Sequence, residues 1–209
     1  MIAYEDRLKL DRRWALNEGG WHFDKDSELF RTMRQIAKRL NDLEIPYAIV
    51  GGMALFEHGY ERFTTDVDLL VSPDGLRLIH ERLEGLGYVP PFQGSKQLRD
   101  VETGVRIEFL VTGAYPGDGK PKPVAFPDPA EVGIDRDGIT YLNLPSLVEL
   151  KLASGMTGGM HRLKDFADVI ELIKIRALPA EFAEQLNPYV RDRYLEIWHG
   201  LQEPTSFEH

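Results

Sequence analysis

Tyr47-Ala48-Ile49-Val50-Gly51-Gly52-Met53-Ala54-Leu55, followed by Arg62-Phe63-Thr64-Thr65-Asp66-Val67-Asp68-Leu69-Leu70-Val71, is the stretch on which the fold turns. Tyr47–Val50 is a short apolar run that predicts a buried strand, and the glycine pair after it opens a helix over 52–58. Residues 66–71 alternate and carry apolar or β-branched side chains, the pattern of a second strand. Successive strand side chains face opposite ways, so Asp66 and Asp68 share one face while Val67, Leu69 and Val71 share the buried one. Two carboxylates side by side repel each other unless a cation lies between them. Oxygen donors of this kind suit a hard divalent ion such as Mg²⁺. Two solvated aspartates on an exposed strand face is the plainer reading of the same pattern. The glycine pair also has two readings. It can be a tight turn only, or a helix start whose free N–H groups cradle a phosphate.

A third carboxylate follows downstream. In Val105-Arg106-Ile107-Glu108-Phe109-Leu110-Val111 the apolar face is Val105, Ile107, Phe109 and Val111, which leaves Arg106 and Glu108 on the other side. If this strand lies beside the Asp66 strand, Glu108 completes a three-carboxylate cluster with room for two metal ions.

Around this centre the chain reads as alternating helices and strands. Residues 1–26 predict a short helix and a packed arm, broken at Gly19-Gly20 and holding Trp14, Trp21 and Phe23. From Ser27 to Leu43 apolar residues recur at helical spacing, with Asp26 or Ser27 as cap and Arg31, Arg34, Lys38 and Arg39 on the outer face. Pro73 to Leu86 reads as a helix closed by Gly87. Lys96–Val101 and Val105–Val111 form a hairpin around Glu102-Thr103-Gly104. Residues 113–133 are a long Pro- and Gly-rich loop around Lys122, and 138–142 an edge strand. Pro145 opens a helix through Ser154. A second helix spans His161 to Ala177, and a last helical region from Pro179 is interrupted at Asn187-Pro188. Residues 202–209 are expected to fray.

Composition sets the outer limits. The chain has 209 residues, 43% hydrophobic and 28% charged, as an ordinary globular protein does. It has no cysteine, which excludes disulfide scaffolds, thiolate metal sites and cysteine nucleophiles, and fits a reducing cytoplasm. No apolar run is long enough for a membrane span, and Met1-Ile2-Ala3-Tyr4-Glu5-Asp6 lacks the apolar core of a signal peptide. The formal net charge of −9 argues against non-specific nucleic-acid binding. His58 and His161 read as surface or turn residues, since neither has a second histidine at ligand spacing.

Two later patterns carry charge into helices. In Leu147-Val148-Glu149-Leu150-Lys151-Leu152-Ala153, Lys151 falls inside an apolar stripe. It either snorkels at the stripe edge or has an anionic partner, for which a triphosphate is suitable. In the helix from His161, Leu163, Phe166, Ala167, Ile170 and Ile173 form the expected core stripe. Asp165 and Asp168 sit three apart on a face away from it.

A Gly-Gly turn, an Asp-x-Asp strand and a later carboxylate resemble the DNA polymerase β-like nucleotidyltransferase superfamily. Within it the chain looks like the AbiE-type toxin branch, whose Gly-Gly-x-Ala-Leu and Arg-x-Thr/Ser-x-Asp-x-Asp patterns match Gly51 to Leu55 and Arg62 to Asp68, with Thr64 at the Thr/Ser position. Many members have Gly-Ser where this chain has Gly51-Gly52, so a serine contact to phosphate is replaced by backbone. The resemblance covers about residues 45–175. It implies an α/β (α+β) nucleotidyltransferase fold, with a small mixed β-sheet flanked by helices. Its parts would be an N-terminal helical arm (1–44), a nucleotidyltransferase core (45–142) and a helical C-terminal region (143–209).

The activity implied is Mg²⁺- (or Mn²⁺-) dependent transfer of a nucleoside monophosphate from a nucleoside triphosphate. Asp66, Asp68 and Glu108 would hold the metal, Glu108 alternatively acting as base. Gly51, Gly52, Arg62, Thr65 and Lys151 would contact the nucleotide; Arg62 could equally pair with a carboxylate. Asp165 or Asp168 would assist catalysis or orient Lys151. The acceptor is left open among an RNA end, a protein side chain and a small molecule, and an antitoxin chain is a candidate partner. Two other readings stand beside this one. The first is a non-catalytic nucleotide-binding module of the same fold. The second is a metal-dependent phosphohydrolase, which would usually add several histidines near the carboxylates.

Overall fold

A computed structural model describes residues 1–203, so all but the start of the tail expected to fray over 202–209 lies outside the described residues. The chain divides into two compact units. The first holds Met1–Glu57, Glu61–Thr112 and Pro127–Leu142; the second holds His58–Tyr60, Gly113–Phe126 and the chain from Asn143 onward. Residues 1–44 therefore cluster with the sheet rather than apart from it.

The first unit is a seven-stranded mixed sheet with helices. It runs α1 (Tyr4–Leu10), α2 (Arg12–Phe23), α3 (Glu28–Asp42), β1 (Tyr47–Val50), α4 (Gly51–Glu57), β2 (Asp66–Val71), α5 (Pro73–Leu83), β3 (Tyr88–Val89), β4 (Gln97–Asp100), β5 (Arg106–Val111), α6 (Pro129–Val132), β6 (Gly133–Arg136) and β7 (Ile139–Leu142). The spatial order is β3-β4-β5-β2-β1-β7-β6. β2 pairs antiparallel with β1 and parallel with β5. The expected hairpin is β4–β5, antiparallel with Leu98 opposite Ile107. Two strands were not foreseen. β3 has only two residues, too few for a periodic signal, and β6 follows the segment read as loop, whose end forms the short helix α6. Residues 138–142 are consequently not at the edge, since β7 lies between β1 and β6.

Alternation governs the core. Val67, Leu69 and Val71 of β2, Ile107 and Phe109 of β5 and Leu98 of β4 all join one buried cluster. Leu29, Met33, Ile36 and Leu40 of α3 complete it from the helical side, four residues at the spacing that puts them on one stripe. Ser27 caps α3 by accepting the Phe30 N–H, as its position suggested. Burying side chains of this size contributes about 1.5–3 kcal/mol each. Gly19-Gly20 does not break the N-terminal segment, because α2 runs through it.

The second unit is helical: α7 (Leu144–Thr157), α8 (Leu163–Arg176) and α9 (Pro188–Gln202), with short 3-10 turns at Gly159–Arg162 and Ala180–Gln185. Asn143 and Asn187 cap α7 and α9, each followed by a proline in the first turn. The buried residues of α8 are Asp165, Asp168, Val169, Leu172 and Ile173; of the predicted stripe Ile173 is buried, Phe166 and Ile170 are half-buried, and Leu163, 49% exposed, and Ala167 are exposed. The loop around Lys122 is tied down by the Lys122 ammonium, which donates to the Pro116 carbonyl and to Asp118. Among the described residues no helix is long and apolar enough to cross a membrane.

His22 of α2 is wholly buried among Phe23, Phe30, Phe56 and Phe63. Its Nε2 donates to the Arg62 carbonyl at 3.1 Å, and its Nδ1 has no partner. Burial pushes its pKa below the ordinary value, the carbonyl contact opposing it. The unfolded chain thus binds the proton more readily, and the stabilising effect is present above about pH 6.5 and lost as pH falls below it. The urea midpoint is expected to drop between pH 7.5 and 5.5, and His22→Gln is expected to flatten that part of the profile.

Candidate functional site

The parallel pairing of β2 with β5 sets Asp68 opposite Glu108 and Asp66 opposite Arg106. One carboxylate oxygen from each of Asp66, Asp68 and Glu108 lies within 4.8 Å of the other two. All three residues are half-buried, and this is the only grouping of its kind among the described residues. The sheet thus joins the three carboxylates read from sequence. An all-oxygen donor set without nitrogen or sulfur suits a hard divalent cation.

Three like charges so close raise the energy of the site unless something offsets them. Asp66 has two offsets. The Arg106 guanidinium donates to its Oδ2, and the Thr64 hydroxyl donates to its Oδ1 at 3.0 Å. Burial disfavours the Arg106 charge, but the hydrogen bond to Asp66 and the charges of Asp66, Glu108 and Glu5 hold its pKa above the usual range.

The glycine pair has a steric cause. Gly51 follows Val50, the β1 residue opposite Asp68, and has φ +60. A Cβ there would fall 1.9 Å from Asp68 Oδ2. At Gly52 a Cβ would fall 2.7 Å from the Thr64 Cβ. The backbone is therefore packed directly against Asp68 and against Thr64, the residue that orients Asp66. Arg62 and Thr65 lie half-buried in the segment before β2, where the Arg62 NH1 reaches the Phe63 carbonyl at 3.4 Å.

Lys151, Asp165 and Asp168 form a separate cluster within the second unit. The Lys151 ammonium donates to Asp165 Oδ1 at 2.9 Å and to Asp168 Oδ2 at 2.7 Å. Ser154 donates to Asp165 Oδ2 at 2.7 Å. The two aspartates are 2% and 3% exposed, so the face read as lying away from the core is inside. Lys151 does not merely snorkel: it neutralises carboxylates from the facing helix. His58 is buried and His161 exposed, and among the described residues neither joins a metal-ligand grouping.

Sequence reading missed the roles of Thr64, Arg106 and Ser154. Alternation already put Arg106 on the Glu108 face, but only the β2–β5 register shows that it meets Asp66. Ser154 is one turn beyond Lys151 on α7, a spacing that could have flagged it.

A mixed sheet flanked by helices, with paired aspartates on one strand and a third carboxylate on its parallel neighbour, defines a nucleotidyltransferase fold. A family model described as "Uncharacterised nucleotidyltransferase" matches residues 15–192, and the chain belongs to that family. Solved structures that resemble this chain share little of its sequence. An antigenic nucleotidyltransferase-like protein from Paracoccidioides brasiliensis is 18% identical, with TM-score 0.53 over 84% of this chain and 88% of that one. The antibiotic-resistance factor ANT(2'')-Ia is 13% identical, with TM-score 0.49 over 81% and 95%. A Thermotoga maritima protein provisionally described as a nucleotidyltransferase is 17% identical, with TM-score 0.49 over 68% and 93%. No curated protein matches the chain in sequence.

Gly51→Ala is expected to cost about 1–2 kcal/mol from the left-handed backbone alone, and to weaken divalent-ion binding by displacing Asp68. Thermal melts and Mn²⁺ titration read the two effects separately. Lys151→Met removes the ammonium held between two buried carboxylates, leaving Arg162 4.0 Å from Asp165, and is expected to cost about 3–5 kcal/mol. Adding Asp165→Asn and Asp168→Asn should restore part of that loss in urea melts.

Proposed function

We propose that this protein is a divalent-metal-dependent nucleotidyltransferase that moves a nucleoside monophosphate from a nucleoside triphosphate to an acceptor hydroxyl. The observation that carries the proposal is the convergence of Asp66, Asp68 and Glu108, fixed by the register of β2 with β5. In this reading Asp66, Asp68 and Glu108 hold Mg²⁺ or Mn²⁺. A bound divalent ion there would neutralise phosphate charge and favour ionisation of the acceptor hydroxyl. The acceptor oxygen forms a bond to the α-phosphorus as the bond to the bridging oxygen breaks, and pyrophosphate leaves. In the same reading Glu108, where it is not a metal ligand, accepts the hydroxyl proton.

The remaining residues orient and neutralise. Gly51 and Gly52 let the triphosphate approach the backbone, and Arg62 and Thr65, in the segment before β2, hold phosphate oxygens. Two of the three Lys151 donors are used by Asp165 and Asp168, and the third is offered to an anionic oxygen. Asp165 and Asp168 are positioning residues for that ammonium. The order of the Gly-Gly, Asp-x-Asp, lysine and Asp-x-x-Asp motifs further supports an AbiE-type toxin role, in the cytoplasm and with an antitoxin partner. Growth arrest on expression, relieved by Asp68→Asn, is what this extension requires.

Purified protein incubated with Mg²⁺, α-labelled nucleoside triphosphates and cell RNA, cell protein or small-molecule pools is expected to transfer label. Asp66→Asn and Asp68→Asn should each lower the rate roughly 100-fold or more. Binding of nucleotide without any transfer to the three pools would instead identify a non-catalytic nucleotide-binding module.

A further inference from the structure

A cavity of about 240 Å³ lies within the first unit, and one of its walls is Arg106, whose guanidinium pairs with Asp66. Met1, Val89, Pro90, Pro91 and Leu98 give it apolar walls, and Gln97, Arg99 and Arg106 give it polar ones. Its link to the site is structural. Gln97 is the register partner of Glu108, and Arg99 that of Arg106. The two arginines differ in what they have left to offer. Arg99 spends its fork on both Glu5 oxygens and the Gly104 carbonyl. Arg106 spends one terminal nitrogen on Asp66, while its buried Nε has no acceptor. A guanidinium carries five donors, so Arg106 is under-used where it stands.

Asp66 is also the oxygen donor that a divalent ion would need. An ion and a guanidinium on the same carboxylate repel each other. Resting on the nucleotidyltransferase reading above, we propose that the cavity is a subsite for a small oxyanion, phosphate or carboxylate, and that Arg106 is its gate. Without a divalent ion, Arg106 is a tethered cation on Asp66. When an ion takes Asp66, the guanidinium is released to the cavity, where an oxyanion satisfies its remaining donors in a planar, two-point contact. The volume lies below that of drug-sized pockets, so the ligand carrying the oxyanion is a single small moiety. Ion and oxyanion then assist one another by an equal factor, since the coupling of two binding events is reciprocal.

The test uses the whole chain and binding alone. Calorimetry reads Mn²⁺ affinity in wild type and Arg106→Met, and sulfate affinity, without metal, in wild type, Asp66→Asn, Asp68→Asn and Asp66→Asn/Arg106→Met. Arg106→Met is expected to tighten Mn²⁺ roughly tenfold, because the competing cation is gone. Asp66→Asn is expected to tighten sulfate by a similar factor, Asp68→Asn by clearly less, and the double variant should lose the gain. Circular dichroism confirms folding of each variant. Stronger displacement of sulfate by glycerol 3-phosphate than by inorganic phosphate would assign the subsite to an acceptor molecule; equal displacement would assign it to the free anion. Unchanged or weaker Mn²⁺ binding in Arg106→Met, or equal sulfate gains from Asp66→Asn and Asp68→Asn, would overturn the inference while leaving the metal site intact. Absence of Mn²⁺ binding to the wild type would overturn the nucleotidyltransferase reading itself.

Discussion

Repulsion among three carboxylates on one sheet face is the constraint around which the first unit is arranged. Asp66, Asp68 and Glu108 cannot relax apart, because the β2–β5 register fixes the strands that carry them. Their neighbours answer that constraint. Arg106 supplies a cation, Thr64 a hydroxyl donor, and Gly51 and Gly52 remove the side-chain bulk that would push Asp68 and Thr64 aside. The apolar face of the same two strands supplies the free energy that holds this arrangement, through Val67, Leu69, Ile107 and Phe109 against α3. A polar site and a hydrophobic core are thus the two sides of one pair of strands.

The second unit solves a related problem differently. Asp165 and Asp168 are nearly inaccessible, where water cannot screen them, and Lys151 with Ser154 takes the place of solvent. A buried group of this kind adds little net stability when complete but is costly when broken. Its effect is to fix how α7 and α8 pack against one another. In the first unit, by contrast, the carboxylates are left half-buried.

Much of this was legible in the chain. Alternation in residues 66–71 and 105–111 sorted each side chain to its face, because a half-buried strand leaves a strong period-two signal. The helical stripe of α3 was equally clear. The three-carboxylate cluster was legible only on the condition that the two strands lie side by side, and the partners set by their exact register were not legible. That Arg106 meets Asp66 depends on a parallel register forty residues apart, which no local pattern encodes. The α8 stripe was misread for a related reason: charged residues were assigned to the outside, whereas Lys151 from another helix lets Asp165 and Asp168 turn in. β3 and β6 were missed because two- and four-residue strands owe their existence to the pairing of their neighbours. The glycine pair was read for its backbone amides, while its packing against Asp68 and Thr64 was invisible until the strands were placed.

The β2–β5 register has a consequence for how the chain reaches its native state. A slip of one residue in β2 would exchange the faces of Asp66 and Asp68 with those of Val67, Leu69 and Val71, and a slip in β5 would do the same to Glu108 against Ile107 and Phe109. Burying carboxylates and displacing apolar side chains from the core are both unfavourable. The alternation that builds the site thus also weighs against its mispaired forms.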